Sequence, residues 1–260
     1  MSDITQLMIQ APMLLALGSV RFGTVLTIVP FFSASGLPRQ VFLIITVGIV
    51  VPMTSPMISL EKLDLFLIAI LIVKEIFLGI IISFFVSVIF WGIEIAGELI
   101  DLQRGTTAGG IYNPMLRAQE SPIGGLFLRI VSYFFFSTGS FLSLLEIMFA
   151  SYQAYPVDKL FPPFSIGWQK LVFPFFTKVF ELGILYSAPL LIIFFFMDFG
   201  LGLANRFVSQ LNVFFISLPI KSGLCFIFLP FYMRYLIEGF QHELFTTTGV
   251  ALFLKGLFHG

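Results

Sequence analysis

The sequence predicts an all-helical protein of the membrane class, multi-helix and hydrophobic, with kinked or broken helices. Three observations carry that reading. Of 260 residues, 58% are hydrophobic and only 11% are charged, too few charges to cover the surface of a soluble domain. The apolar residues gather in continuous runs, several of them long enough to cross a bilayer, which takes roughly 17–25 residues. These runs lack the strict alternation of a membrane β-barrel, which leaves helices. A soluble enzyme is nearly excluded, and 35 Phe residues supply bulky side chains suited equally to lipid and to neighbouring helices.

The runs fall at 7–32, 41–60, 65–93, 126–150, 171–204 and 222–237, the last marginal in length. Pro12, Pro30, Pro52, Pro56, Pro174 and Pro189 lie within them, and each is expected to break or kink its helix by removing a backbone donor. Such breaks survive at membrane depth only where protein or water satisfies the freed carbonyls. Six charges also lie inside the runs: Arg21, Lys74, Glu75, Lys178, Glu181 and Asp198. A charge near the bilayer centre costs at least roughly 2.5–3.5 kcal/mol, so these faces are expected to meet protein or water. Lys178 and Glu181 are three apart on one helical face and can neutralise each other. Lys74 and Glu75 are adjacent and project about 100° apart on a helix, so each is expected to find its partner on another helix or subunit.

Lys and Arg are spread over nearly every connection, so charge assigns no orientation. With 14 basic and 14 acidic residues and no basic run, there is no electrostatic footprint for nucleic acid. No Lys or Arg precedes Arg21, so a basic signal-peptide region is missing and the first run is expected to stay in the mature protein. No lipidation motif is seen at either end. The lone Cys225 is expected to serve as a small hydrophobe. A single all-helical domain over 1–260 is expected, with a short tail from 238 onward; no internal repeat is apparent.

Two long polar connections, 94–125 and 151–170, interrupt the runs, the second carrying Tyr155-Pro156 and Phe161-Pro162-Pro163-Phe164. In the first, Glu94, Glu98 and Asp101 share one face of a helix, with Arg104 three residues beyond Asp101 and Gly105 as a helix stop. A solvated helix end and a functional acidic stripe both fit that pattern. Thr106-Thr107-Ala108-Gly109-Gly110 and the turn signal Asn113-Pro114 follow, without the spacing of a phosphate-binding loop. A further polar-flanked segment runs from Ser209 to Ser222. There Pro219 is expected to block a continuous helix and make a re-entrant or capped turn, with Asn212 able to satisfy freed backbone groups. His242 and His259 are far apart in the tail, and no HExxH, GxSxG or CxxC pattern occurs, so no catalytic residue, metal ligand or cofactor is expected.

The order Gly97-Glu98-Leu99-Ile100-Asp101-x-Gln103-x-Gly105, then Asn113-Pro114, then Gln210-Leu211-Asn212-Val213-Phe214, then Pro219-x-Lys221 resembles the FliR, SpaR and YscT family, the T-type export-apparatus proteins of type III secretion and flagellar assembly. The resemblance extends over essentially the whole chain. Val208-Ser209 departs from the Ala-Pro common in the family, and Ser217 stands where flagellar members often have Gly. Ser217 with Lys221-Ser222 is closer to the virulence-associated injectisome branch.

The resemblance implies a non-enzymatic subunit packed with R-type and S-type proteins in a helical export-gate assembly through which unfolded substrates pass. It also implies an inner-membrane location with the assembly raised toward the periplasm, and proximity to the U-type switch protein and the base of the inner rod or needle. Carried onto this chain, Glu98, Asp101, Gln103 and Arg104 lie in a polar turn, Asn113-Pro114 in the following loop, and Asn212 to Lys221 in a second loop near the closed entrance. Charged and amide groups at these breaks are then expected to pair across subunits and hold the channel shut. The competing reading is an ion-coupled secondary transporter using Lys74, Glu75 and Asp198 as midplane relay residues. A membrane enzyme ranks third, for want of a ligand cluster.

Overall fold

A computed structural model describes residues 17–34, 65–106, 121–159, 168–207 and 212–246, with isolated positions at 41, 44 and 48. Among these residues the regular structure is helical and no strand occurs. The elements are α1 (Leu17–Ile28), α2 (Pro30–Ala34), α3 (Leu65–Arg104), α4 (Pro122–Ser137), α5 (Ser140–Ala154), α6 (Trp168–Asn205) and α7 (Val213–Thr246). The run at 41–60, with Pro52 and Pro56, lies almost entirely outside the described residues, as does Pro12.

Among the described residues three helices are long and apolar enough to cross a membrane: Phe66–Arg104, Phe173–Asn205 and Phe215–Glu243. The bent pair α4 and α5 makes a fourth if counted as one span. The chain divides into two compact units, Met1–Ser87 with Phe135–Pro174 and Phe245–Gly260, and Val88–Phe134 with Phe175–Leu244. Helices α3, α4, α6 and α7 contribute to both.

In the first unit, α1 ends two residues before Pro30, which opens α2 at the position where a missing N–H costs nothing. Phe31 and Phe32 of α2 meet Phe136 and Phe141, and Phe31 also lies 4.4 Å from Phe135, an aromatic cluster that closes this end. Phe22, Val25, Leu71, Leu78, Phe85 and Met148 are buried in the same unit. The expected run at 126–150 is interrupted after Ser137, and the break falls at Gly139 with φ +77°, where only the absence of Cβ makes the turn cheap.

In the second unit, α3 is approached closely at its glycines. A Cβ on Gly97 would lie 2.4 Å from the Gly124 Cα, and Gly183 of α6 sits against Ile95. Phe127 stacks on Tyr232 at 5.4 Å, and Phe90 meets Phe240 edge-on at 5.5 Å. Small residues that let backbones approach replace the hydrophobic drive missing in lipid. Gly97→Val would push a branched side chain into backbone that has nowhere to go, costing about 1–3 kcal/mol or more. The expected result is a lower melting temperature of the purified chain; an unchanged one would show that α3 and α4 are not locked here.

Pro219 differs from expectation, since it blocks no helix and makes no turn. Pro174 and Pro189 lie inside α6, and Pro219 and Pro230 inside α7, without ending either helix. Each removes one backbone hydrogen bond, whereas ending the helix at such depth would expose several donors and acceptors. The marginal run at 222–237 is accordingly part of a helix 34 residues long. Helix α7 runs past 238 to Thr246, with Phe240 fully buried and Glu238 paired with Arg234 one turn back.

Candidate functional site

The first polar cluster lies in the first unit. Arg21 of α1 grips Glu75 of α3 with both ends of its guanidinium, Nε to Oε2 at 2.8 Å and Nη2 to Oε1 at 3.0 Å. The Lys74 Nζ is 2.7 Å from the same Oε1. All three side chains are fully buried. Adjacent residues therefore do pair, contrary to the expectation from their helical projection, because a long lysine stem can fold back toward a carboxylate already fixed by Arg21. The expected partners elsewhere are also present, and they belong to this chain. Arg21 donates to the Ser151 hydroxyl and the Tyr155 carbonyl, and Lys74 to the carbonyls of Pro156, Val157 and Lys159. The guanidinium also stacks over Tyr152, whose hydroxyl donates to the Gly18 carbonyl.

The second cluster is built at the C-terminus of α3, in the second unit. Gly105 adopts φ +75° as the expected stop, its N–H donating to the Leu102 carbonyl and the Thr106 N–H to the Asp101 carbonyl. This closing pattern needs a residue without Cβ at 105. The expected pair of Arg104 with Asp101 is present, Nε to Oδ1 at 3.0 Å. The other oxygen of Asp101 accepts from the Ser121 hydroxyl and, at 2.8 Å, from the Ile123 N–H. Ser121 in turn accepts from the Gly124 N–H as the N-cap of α4, ahead of Pro122 at the first helical position. One buried carboxylate thus neutralises an arginine and terminates the next helix at its positive end.

Lys221 completes this arrangement. Its Nζ lies 2.6 Å from the Asp198 carboxylate on α6 and 3.2 Å from the Gln103 carbonyl in the last turn of α3. A cation placed on the carbonyls that a helix leaves unpaired at its C-terminus is electrostatically favoured. The Gln103 amide also reaches Asp198, at 3.5 Å. Lys221, Asp198 and Gln103 therefore tie three helices at one point, and Leu218 lies against Gly105.

Of the remaining expected site residues, Glu98 is exposed on α3, while Glu94 is partly and Asp101 almost fully buried, so the acidic stripe spans three environments. Asn212 stands just before α7, its carbonyl accepting the Ile216 N–H; Pro219, seven residues on, is inside the helix and makes no loop. Phe214 is in the first turn of α7. Asn113, Pro114 and Gln210 lie outside the described residues. Lys178 is 3.7 Å from Glu181 and nearer, at 3.2 Å, to Glu243 of α7, a residue the sequence reading assigned to the tail.

The reading by sequence overlooked Ser121, Ser151, Tyr152 and the carbonyls of the turn after α5. Only Ser121 carried a local signal, since Ser-Pro before an apolar run marks a helix start.

These features define a multi-pass protein of the membrane class whose charges are closed mainly by its own helices. Residues 13–247 match the family described as bacterial export proteins, family 1, and the chain belongs to that family. It is similar to the Yop proteins translocation protein T of Yersinia pestis, 40% identical over 171 residues, which cover 66% of this chain and 66% of that protein. It is also similar to the secretion system apparatus protein SsaT of Salmonella typhimurium, 34% identical over 188 residues, 72% of this chain and 71% of that protein. A flagellar relative, the biosynthetic protein FliR of Bacillus subtilis, is 31% identical over 159 residues, 60% of this chain and 61% of that protein. Matched segments thus span about two thirds of the relatives' lengths.

Proposed function

We propose that this chain is a non-enzymatic subunit of the type III protein secretion export gate in the bacterial inner membrane, of the injectisome branch. The family match over residues 13–247 carries this reading, and the higher identity to the Yersinia and Salmonella secretion proteins than to the flagellar relative supports the branch. Its partners are R-type, S-type and U-type export-apparatus proteins, with the inner rod or needle base next to the assembly, which is raised toward the periplasm. Unfolded proteins pass through.

The junction of Lys221, Asp198 and Gln103 sets the closed conformation in this reading. The pairs expected across subunits are made inside the chain for Asp101, Arg104, Lys221 and Asp198, which leaves the exposed Glu98 and the flank of Gln103 to meet neighbours. Nothing favours the transporter reading: Lys74 and Glu75 are closed by Arg21 and backbone carbonyls, and Asp198 by Lys221.

Two measurements test the proposal. The chain should co-purify with R-type and S-type partners and take up no solute when reconstituted alone; stable isolation as a monomer from cells holding those partners would defeat it. Lys221→Ala removes a charge-assisted contact worth about 1–2 kcal/mol at a partly exposed carboxylate, and secretion of substrate should change while the complex still assembles. Normal assembly with normal secretion would remove Lys221 from the gate.

A further inference from the structure

The cluster of Arg21, Lys74 and Glu75 has no part in the proposed gate, yet it spends its donors on one short stretch of backbone. In the turn after α5 the Tyr155 N–H donates to the Ser151 carbonyl and the Lys159 N–H to the Pro156 carbonyl. The carbonyls of Tyr155, Pro156, Val157 and Lys159 accept from Arg21 or Lys74 at 2.9–3.3 Å. The Lys74 ammonium is thus surrounded by three carbonyl oxygens and one carboxylate oxygen, at 2.7–3.3 Å. Two cations face one carboxylate, Glu75, and the excess positive charge rests on the turn, where Asp158 contributes a further negative field.

We propose that the turn 155–159 is a strap closed over this charged pair by the Lys74 ammonium, which fills an oxygen cage formed by the strap and Glu75. The strap is one end of the chain leading from α5 to α6, so its closure fixes where that connection starts. Closure depends on a cation in the cage and not on apolar packing alone. Removing Lys74 leaves Arg21 and Glu75 as a balanced pair, so the unit keeps its core while the strap keeps only the Arg21 bond to the Tyr155 carbonyl. Val157, whose side chain is fully buried, is the residue that opening would expose.

The test is maleimide labelling of Val157→Cys in the full-length chain, in native membranes with the secretion apparatus present. The natural Cys225 is buried and serves as the internal control. In a Lys74→Met background, position 157 should label at least about tenfold faster than with Lys74 present, with Cys225 unchanged, as expected for local opening without global unfolding. Methylammonium added to the Lys74→Met protein should slow labelling again by occupying the cage. Lys74→Arg, which keeps the charge, should label within about twofold of the parent. An unchanged rate at 157 in Lys74→Met, or an equal rise at Cys225, would overturn the strap. So would Lys74→Arg labelling as fast as Lys74→Met.

Discussion

Glu75→Gln is expected to be the most damaging single substitution in the first unit. The change is nearly isosteric, so its effect is electrostatic. It leaves Arg21 and Lys74, both fully buried, facing each other without the carboxylate that now accepts from both. Breaking a buried pair by removing one partner costs about 3–5 kcal/mol, because the surviving charge is neither hydrated nor compensated. At about 2–4 °C per kcal/mol for a chain of this size, the melting temperature in detergent should fall by about 10 °C. Lys74→Met should cost far less, since it removes a charge from a cluster with one cation too many. Equal losses for the two variants would refute the assignment of Glu75 as the hub.

The second large effect is expected at Asp101. Asp101→Ala deprives Arg104 of its carboxylate in a buried setting, where the Phe226 ring lies 5.6 Å from its guanidinium, and it uncaps α4 at the Ser121 hydroxyl and the Ile123 N–H. The loss should again be about 3–5 kcal/mol. Asp101→Asn keeps an acceptor oxygen while losing the charge and should cost about 1–3 kcal/mol. Hydrogen exchange separates this from general loosening: the Ile123 and Gly124 amides should lose protection before the middle of α4 does. If those amides stay protected in Asp101→Ala, the carboxylate is not what terminates the helix.

Much of the helical layout was legible because long apolar runs announce themselves, and the end of α3 was legible in detail. The spacing of Asp101 and Arg104 and the glycine at 105 are local facts, and local facts set helix ends. Lys221 with Asp198 was not legible, since the two are brought together only by the folding of α6 against α7 in the second unit, and no periodicity connects them. Proline misled at Pro219 for a related reason. Its intrinsic preference is to end a helix, but an apolar environment penalises a broken helix more than one missing bond, so Pro189, Pro219 and Pro230 were absorbed. The break came instead at Gly139, where a left-handed turn was inexpensive. Projection angles misled at Lys74 and Glu75, because they describe Cβ directions and not the reach of a four-carbon side chain.

The long helices carry a consequence for how the chain survives in a cell. Helix α3 has 40 residues and α6 has 38, which at 1.5 Å per residue gives about 60 and 57 Å. A hydrocarbon core is about 30 Å thick. Fitting α3 inside it would need a tilt of about 60°, beyond the usual range of 0–40°. At tilts within that range a third to a half of such a helix stands outside the hydrocarbon, and α6 carries phenyl rings that its own chain leaves uncovered, such as Phe176, Phe180, Phe195 and Phe199. An orphan copy would present these as a signal to quality-control proteases, so its lifetime should track the supply of the proteins that cover them.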